Sequence, residues 1–282
     1  MTGTSRLAVL MTCHNRVDRT VNCLQSLSEQ QDSSLHLEVV LVDAGSTDGT
    51  RETVRQRFPD VKLIERGTEL FWNGGMRVAL AHAYDSDPDL YLWLNDEVQL
   101  DPDALSTLLS CLRELRESTH APAIIVGSTR DPATGQLTYG GVTRPDRFRP
   151  LHYELVQPDD VPRPAETMNG NCVLVPRDVV SRIGNLAAAY THGMGDYDYG
   201  HRATRAGCEI WVAPGTIGTC ARNQPPSRAA SMEEHRRRAV SPTGGLPPTE
   251  WRTFARRWAG PLWPIYALSP YVRRFARWAT EK

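Results

Sequence analysis

The sequence predicts an α/β fold in which a mostly parallel sheet is wound by helices on both faces. Three observations carry the prediction. Short apolar runs recur through the first half of the chain, each is followed by a segment with helical spacing, and the runs are too evenly apolar to leave one face wet.

"RLAVLMT" (6 to 12) is the first buried strand, and "RVDRTVNCLQSLSEQ" (16 to 30) is an amphipathic helix with Val17, Val21, Leu24 and Leu27 on one face. "LEVVLVD" (37 to 43) is the second strand. The turn "AGSTDGT" then leads into a helix through Phe58, with Ser46, Thr47 or Asp48 as its cap. "VKLIER" (61 to 66) is the third strand, "GGMRVALAHAYDS" (74 to 86) a helix, and "LYLWL" (90 to 94) the fourth strand. A helix follows from about Asp101 to Glu117, capped by Asp101 or Asp103. Past "IIVGS" (124 to 128) the pattern loosens into "TRDPATGQLTYGGVTRPDRFRP", which implies hairpins and long loops. "NGNCVLVPRDVVSRIG" reads as a short strand and a helix, "GDYDYGHRATRAG" as a helix closed by Gly207, and "EIWVAPG" as a last strand. The expected organisation is one folded domain, 1–222, with halves 1–118 and 119–222. A Pro- and Arg-rich linker and an aromatic, Arg-bearing helical tail, 223–282, complete it.

At 282 residues, 40% hydrophobic and 23% charged with a formal net charge of -1, the composition is that of a soluble globular protein and argues against a nucleic-acid partner. The first apolar run is too short for a signal peptide, and no segment reaches the roughly 18 apolar residues of a membrane span. A cytoplasmic chain is expected, with any membrane contact peripheral, at the inner face. The six cysteines are scattered singly, which suits reduced core thiols.

Ligands of such sheets bind beyond the carboxyl ends of the strands. Polar residues gather at those ends: Thr12, His14 and Asn15 after the first strand, Asp43 after the second, and Asn95, Asp96 and Glu97 after the fourth. Adjacent acids at a strand end serve either as a turn or as oxygen ligands for Mg²⁺ or Mn²⁺ beside phosphates. Asp43 can accept the ring N–H of uracil, thymine or guanine. In "FWNGGMR", Trp72, Asn73 and Gly74 stand at a helix start, where close backbone approach and the helix amino terminus favour phosphate; helix packing explains the glycines equally well. In "GDYDYGHR", Asp196 and Asp198 cannot both cap one helix, which leaves Asp196 as the candidate base, while His192 and His201 beside it read as packing residues. The tail reads as a surface anchor to anionic lipid, a brace folded onto the domain, or a self-association surface that would make a homodimer. Pro261 and Pro264 interrupt it.

Taken together, "LAVLMTCHNR", "VVLVDAGSTDGT", "LWLNDEV" and "GDYDYGHRATRAG", in that order, resemble the inverting family 2 glycosyltransferases of the GT-A fold over about residues 6 to 220. Bacterial members that attach rhamnose or related sugars carry similar "FWNGGM" and "LND" blocks. The resemblance implies a UDP- or dTDP-linked sugar donor, a divalent ion (Mn²⁺ or Mg²⁺) and a carbohydrate, glycolipid or small-molecule acceptor. It places Thr12, His14 and Asp43 at the nucleobase and ribose, Asp96 at the ribose or phosphates, Glu97 on the ion, and Asp196 as general base. Asn95 and Glu97 depart from the usual aspartates, and Gly195 from the Glu that often precedes the base. For the acceptor side it leaves "MNGN" (168 to 171), "HGMG" (192 to 195) and the loop of residues 139 to 149. Three other readings compete. A nucleotidyltransferase needs a glycine-rich loop where "TCHNRVDRT" stands, and a dinucleotide oxidoreductase needs GxGxxG there. A non-catalytic sugar-nucleotide binder would share the site without turnover.

Overall fold

The computed structural model describes residues 5–30, 35–119, 121–222 and 232–280, with only the backbone described at 232, 235, 236, 275 and 277–280. Residues 223–231, the first part of the expected linker, fall outside them. The elements run β1 (Ser5–Cys13), α1 (Val17–Ser28), β2 (Leu35–Ala44), α2 (Thr50–Arg57), β3 (Lys62–Arg66), α3 (Phe71–Tyr84), β4 (Leu90–Leu94), β5 (Gln99–Leu100), α4 (Ala104–Ser118) and β6 (Ala123–Val126). They continue as β7 (Thr129–Arg130), β8 (Leu137–Tyr139), β9 (Gly141–Thr143), β10 (Glu154–Leu155), β11 (Arg163–Pro164), β12 (Thr167–Met168), β13 (Cys172–Pro176), α5 (Arg177–Ile183), α6 (Gly195–Arg205), β14 (Glu209–Val212), β15 (Gly218–Thr219), α7 (Met232–Ala239), α8 (Pro248–Trp258) and α9 (Trp263–Thr280).

Eight strands form the main sheet in the order β11-β14-β6-β13-β4-β1-β2-β3. β3, β2, β1 and β4 are mutually parallel, and β13 runs antiparallel between β4 and β6. Side chains alternate across it. Leu7, Val9 and Met11 join Leu92 and Leu94 in the core under α1 and α4, whereas Ala8 and Leu10 join Tyr91 and Trp93 in the core under α3, α5 and α6. Both faces are therefore dry, which explains the unbroken apolar runs. All six cysteines are free and buried.

The loosened middle of the chain forms two small sheets, β10-β9-β12 and β5-β15-β7-β8. Neither Asp101 nor Asp103 caps α4 with its side chain. Instead, Asp101 pairs with Arg130 at 2.6 Å, an ion pair that ties the start of α4 to β7. Helix α3 begins at Phe71, three residues before the expected start, so Trp72, Asn73 and Gly74 lie inside its first turn.

The tail folds back onto the domain. Trp251 and Phe254 of α8 form a third core with Tyr190, joined by Tyr153, Tyr197 and Trp258. Pro261 lies in a short 3-10 turn between α8 and α9, and Pro264 falls in the first turn of α9, where proline is tolerated.

Candidate active site

Parallel pairing carries β1, β2 and β4 to the same rim, where their carboxyl-terminal loops interlock. Asn15, in left-handed backbone at φ 51°, donates its N–H to Ser46 Oγ at 2.9 Å, and its Oδ1 accepts from Thr47 N at 2.7 Å. Asp48 accepts from the amide of Val17 at 2.9 Å and of Thr50 at 3.1 Å, serving the amino termini of α1 and α2 at once. His14 is exposed; its Nδ1–H donates to Ala44 O at 2.7 Å, and its Nε2 accepts from Asn15 Nδ2 at 3.2 Å.

Asp43 is fully buried. Ser46 N–H donates to its Oδ2 at 3.1 Å, and Arg51 Nε lies 3.3 Å from the same oxygen. The carboxylate thus holds the turn that forms the second loop. Thr12, also buried, meets α3 at Gly75, where a Cβ would lie 2.2 Å from Thr12 Oγ1, so only glycine allows this approach.

The two acids after β4 are paired with the start of α1. Glu97 lies 2.5 Å from Arg16 Nη1 and 2.8 Å from Arg19 Nη1, and its side chain is 4% exposed. Asp96, 1% exposed, accepts from Arg16 and from Thr20 Oγ1, both at 3.3 Å. Burial, reinforced by the Glu97 charge and opposed by Arg16, pushes Asp96 up to about 6. Two cations at a helix amino terminus oppose the helix dipole; the acid pair offsets that cost.

Asp196 sits half-buried in the first turn of α6, accepting from Gly170 N at 3.0 Å and Tyr197 N at 2.9 Å. Desolvation lifts it to about 6, although these amides pull the other way. The next residue, Asn171, accepts from Asn95 N at 2.8 Å. Asp196 is therefore joined to the β4 acids through two adjacent residues of the 169–171 segment. Trp72 packs against Gly170, where a Cβ would lie 2.4 Å from the indole, and makes an edge contact with buried Trp93 at 6.2 Å.

Asn73 is fully buried. Its amide donates to Ala187 O at 3.0 Å and Tyr190 O at 2.6 Å, so its side chain fastens the loop before α6. Asp198 is buried under four donors: Tyr190 Oη (3.1 Å), Arg257 Nη1 (2.9 Å) and Trp258 Nε1 (3.0 Å) on one oxygen, Arg202 Nε (2.9 Å) on the other. Glu250 of α8 accepts from Thr191 N at 3.1 Å and Thr191 Oγ1 at 2.7 Å. His201 is bonded to Tyr153 Oη at 2.8 Å, and burial lowers it to about 4, so it packs as a neutral ring. Burial and the Arg16 charge likewise lower His192.

Sequence reasoning missed Arg16 and Arg19, although arginines at a helix start facing an acid pair were a usable signal. It also missed Gly170 as the partner of Asp196, and Glu250, Arg257 and Trp258, whose partners lie some sixty residues away and leave no local trace. Among the described residues no three His, Cys, Asp or Glu side chains form a metal cluster. A Mg²⁺ or Mn²⁺ ion shared with a substrate needs only one or two carboxylates beside phosphate oxygens and water, and Asp96 with Glu97 fits that donor set.

The fold is shared with solved structures at identities that speak for architecture alone. They include Staphylococcus aureus TarS 1-349 (TM-score 0.58, 14% identity, 89% of this chain and 64% of that one). GalNAc-T7 with UDP, GalNAc and Mn²⁺ has a TM-score of 0.68 at 11% identity, over 98% of this chain and 52% of that one. The mannosyltransferase PcManGT from Pyrobaculum calidifontis, in complex with GDP-Man and Mn²⁺, has a TM-score of 0.55 at 19% identity, over 100% and 77%. In sequence, the chain is 27% identical over 197 residues to an N-acetylglucosaminyl-diphospho-decaprenol L-rhamnosyltransferase of Mycobacterium tuberculosis, covering 61% of this chain. It spans 62% of that relative, less than two thirds of its length. The profile described as "Glycosyl transferase family 2" matches residues 8–184, the stretch that builds the interlocked rim and the 169–171 segment. The sheet, its loops and this match agree: the chain belongs to glycosyl transferase family 2, with a GT-A fold.

Proposed function

We propose that the chain is an inverting glycosyltransferase that moves a sugar from a UDP- or dTDP-linked donor to an acceptor hydroxyl, with Asp196 as general base. The observation that supports this reading is the short path from Asp196 through Gly170 and Asn171 to the backbone of Asn95, which links a carboxylate raised by burial to the strand end that carries the β4 acids.

On this reading Thr12, His14 and Asn15 flank the nucleoside, and Asp43 acts through the turn it holds. Asn95, Asp96, Trp72 and Gly74 border the diphosphate and the sugar, while Asn73 serves the loop before α6. Arg16 and Arg19 already place two positive charges where a diphosphate would arrive. Asp96 and Glu97 would hold a divalent ion, whose chemistry is to neutralise charge on the departing diphosphate. The acceptor oxygen attacks the anomeric carbon as the bond to the diphosphate breaks on the opposite face, and its proton passes to Asp196. A carboxylate near 6 is ionised at neutral pH yet more basic than an ordinary aspartate, which suits a general base. Residues 168 to 171, 192 to 195 and 139 to 149 form the acceptor side. The name of the mycobacterial relative makes L-rhamnose the first sugar to try and a diphospholipid-linked N-acetylglucosamine the first acceptor.

The test is a panel of nucleotide sugars, incubated with and without Mn²⁺, in which release of nucleoside diphosphate is followed. Release from one donor, stimulated by acceptor, is expected. Binding without release from any donor would make the chain a non-catalytic binder, and activity indifferent to chelation would remove the ion.

A further inference from the structure

Helix α9 is docked by one face and bare on the other. Ala267 is buried, and Tyr271 Oη donates to Leu246 O at 2.7 Å. On the opposite side Leu262, at the end of the 3-10 turn, and Ile265, Leu268 and Val272 are 58%, 62%, 66% and 65% exposed. Steps of three, three and four residues put them on one stripe. They are four of the eight large hydrophobics that stand exposed among the described residues. A fifth, Phe148, is fastened to this helix by Tyr266 Oη, which donates to its carbonyl at 2.6 Å. Isolated exposed apolar residues need no explanation; a continuous stripe does.

The charge around the stripe is mainly positive, with Asp146, which accepts from Phe148 N at 2.8 Å, as a carboxylate beside it. Residues 251 to 280 contain six arginines and neither Asp nor Glu, in a chain whose formal net charge is -1. Arg257 and Arg274 are committed internally, to Asp198 and to Ala239 O. Arg252, Arg256 and Arg273 are exposed, and Arg147 lies over the Phe148 ring at 4.7 Å. A second copy docking through the same patch would oppose arginines to arginines. A surface with an apolar interior and anionic head groups satisfies both features.

We infer that the exposed face of α9, with Phe148 and its neighbouring arginines, docks on an anionic phospholipid bilayer. The same tail grips the helix that carries Asp196, through Arg257 and Trp258 on Asp198, and the loop before it, through Glu250 on Thr191. Docking therefore holds the acceptor side of the cleft near the lipid surface. Only this last step rests on the function proposed above, under which a lipid-linked acceptor would be met at that surface.

The experiment is flotation of the full chain with phosphatidylcholine vesicles, with and without phosphatidylglycerol, in the absence of nucleotide sugar. Wild type is expected to float only with the anionic vesicles, and less as salt rises. The variants Ile265→Ser/Leu268→Ser/Val272→Ser and Arg252→Glu/Arg256→Glu/Arg273→Glu should each bind more than about tenfold more weakly. Both should keep the wild-type melting temperature and release of nucleoside diphosphate with a soluble acceptor. If wild type ignores anionic vesicles, or if either variant that folds binds as well as wild type, the inference is wrong. It is equally wrong if wild type sediments as a dimer that the serine variant converts to monomer, which would assign the stripe to a second copy. Flotation reads docking without turnover, so its failure leaves the catalytic reading standing.

Discussion

Two pairs of neighbouring acids belong to the candidate site, and the fold treats them differently. Asp96 and Glu97 are both met by guanidinium groups from the start of α1. In the second pair the cations are concentrated on Asp198, and Asp196 receives only backbone amides. Burial raises Asp96 and Asp196 alike, to about 6; what differs is the partner, a guanidinium that occupies Asp96 and backbone amides that leave no side chain on Asp196. Partner type, more than position in the motif, separates the acid with no cation on it from the acids that are engaged by arginines.

The comparison breaks most visibly at Asp196. Asp196→Asn is expected to lower kcat by about 10² to 10⁴, with nucleotide affinity by calorimetry unchanged; wild-type turnover would erase the distinction between the pairs. Next comes its neighbour. Asp198→Ala leaves Arg202 and Arg257 facing each other without their carboxylate, and should cost about 3–5 kcal/mol in urea unfolding; a fully stable variant would show that the four donors do not hold the tail in place. Glu97→Gln keeps the shape of the first pair while removing its charge, and a loss on the order of 10 to 10² in kcat/KM is expected. If the loss is absent, the first pair is only a partner for α1.

The mildest perturbation is pH. Asp96 and Asp196 are both raised to about 6 from 3.8. Activity that needs both ionised should be level above about pH 7 and fall below 6 with a slope of two in log kcat/KM. In Asp196→Asn the residual slope should drop to one. Stability runs the opposite way. For acids raised on folding, the contribution is present in full below the unfolded value near 3.8 and is lost as pH rises through about 6. These two groups should therefore make the fold more resistant to urea at mild acid than at neutrality.

How far the sequence could be read differs between neighbours in the same loop. Asp48 was legible as a cap because capping is local, and it does accept from Thr50; that it also serves Val17 was not, because that amide lies 31 residues away. Asp43 was legible as a strand-end carboxylate, yet whether it points outward or into its own turn depends on Arg51, the second residue of α2. Asn73 stands beside Trp72 in the same motif; one fastens a loop and the other borders Gly170.

What the sequence by itself determined was the alternation of strand and helix, the dry sheet and the polar rim at its strand ends, because hydrophobic period and turn chemistry act over a few residues. What only the tertiary structure decided was the pairing across that rim: Arg16 on the β4 acids, Gly170 on Asp196, and the tail on Asp198. Those contacts join residues up to 81 positions apart, and no local preference encodes which distant donor reaches a given carboxylate first.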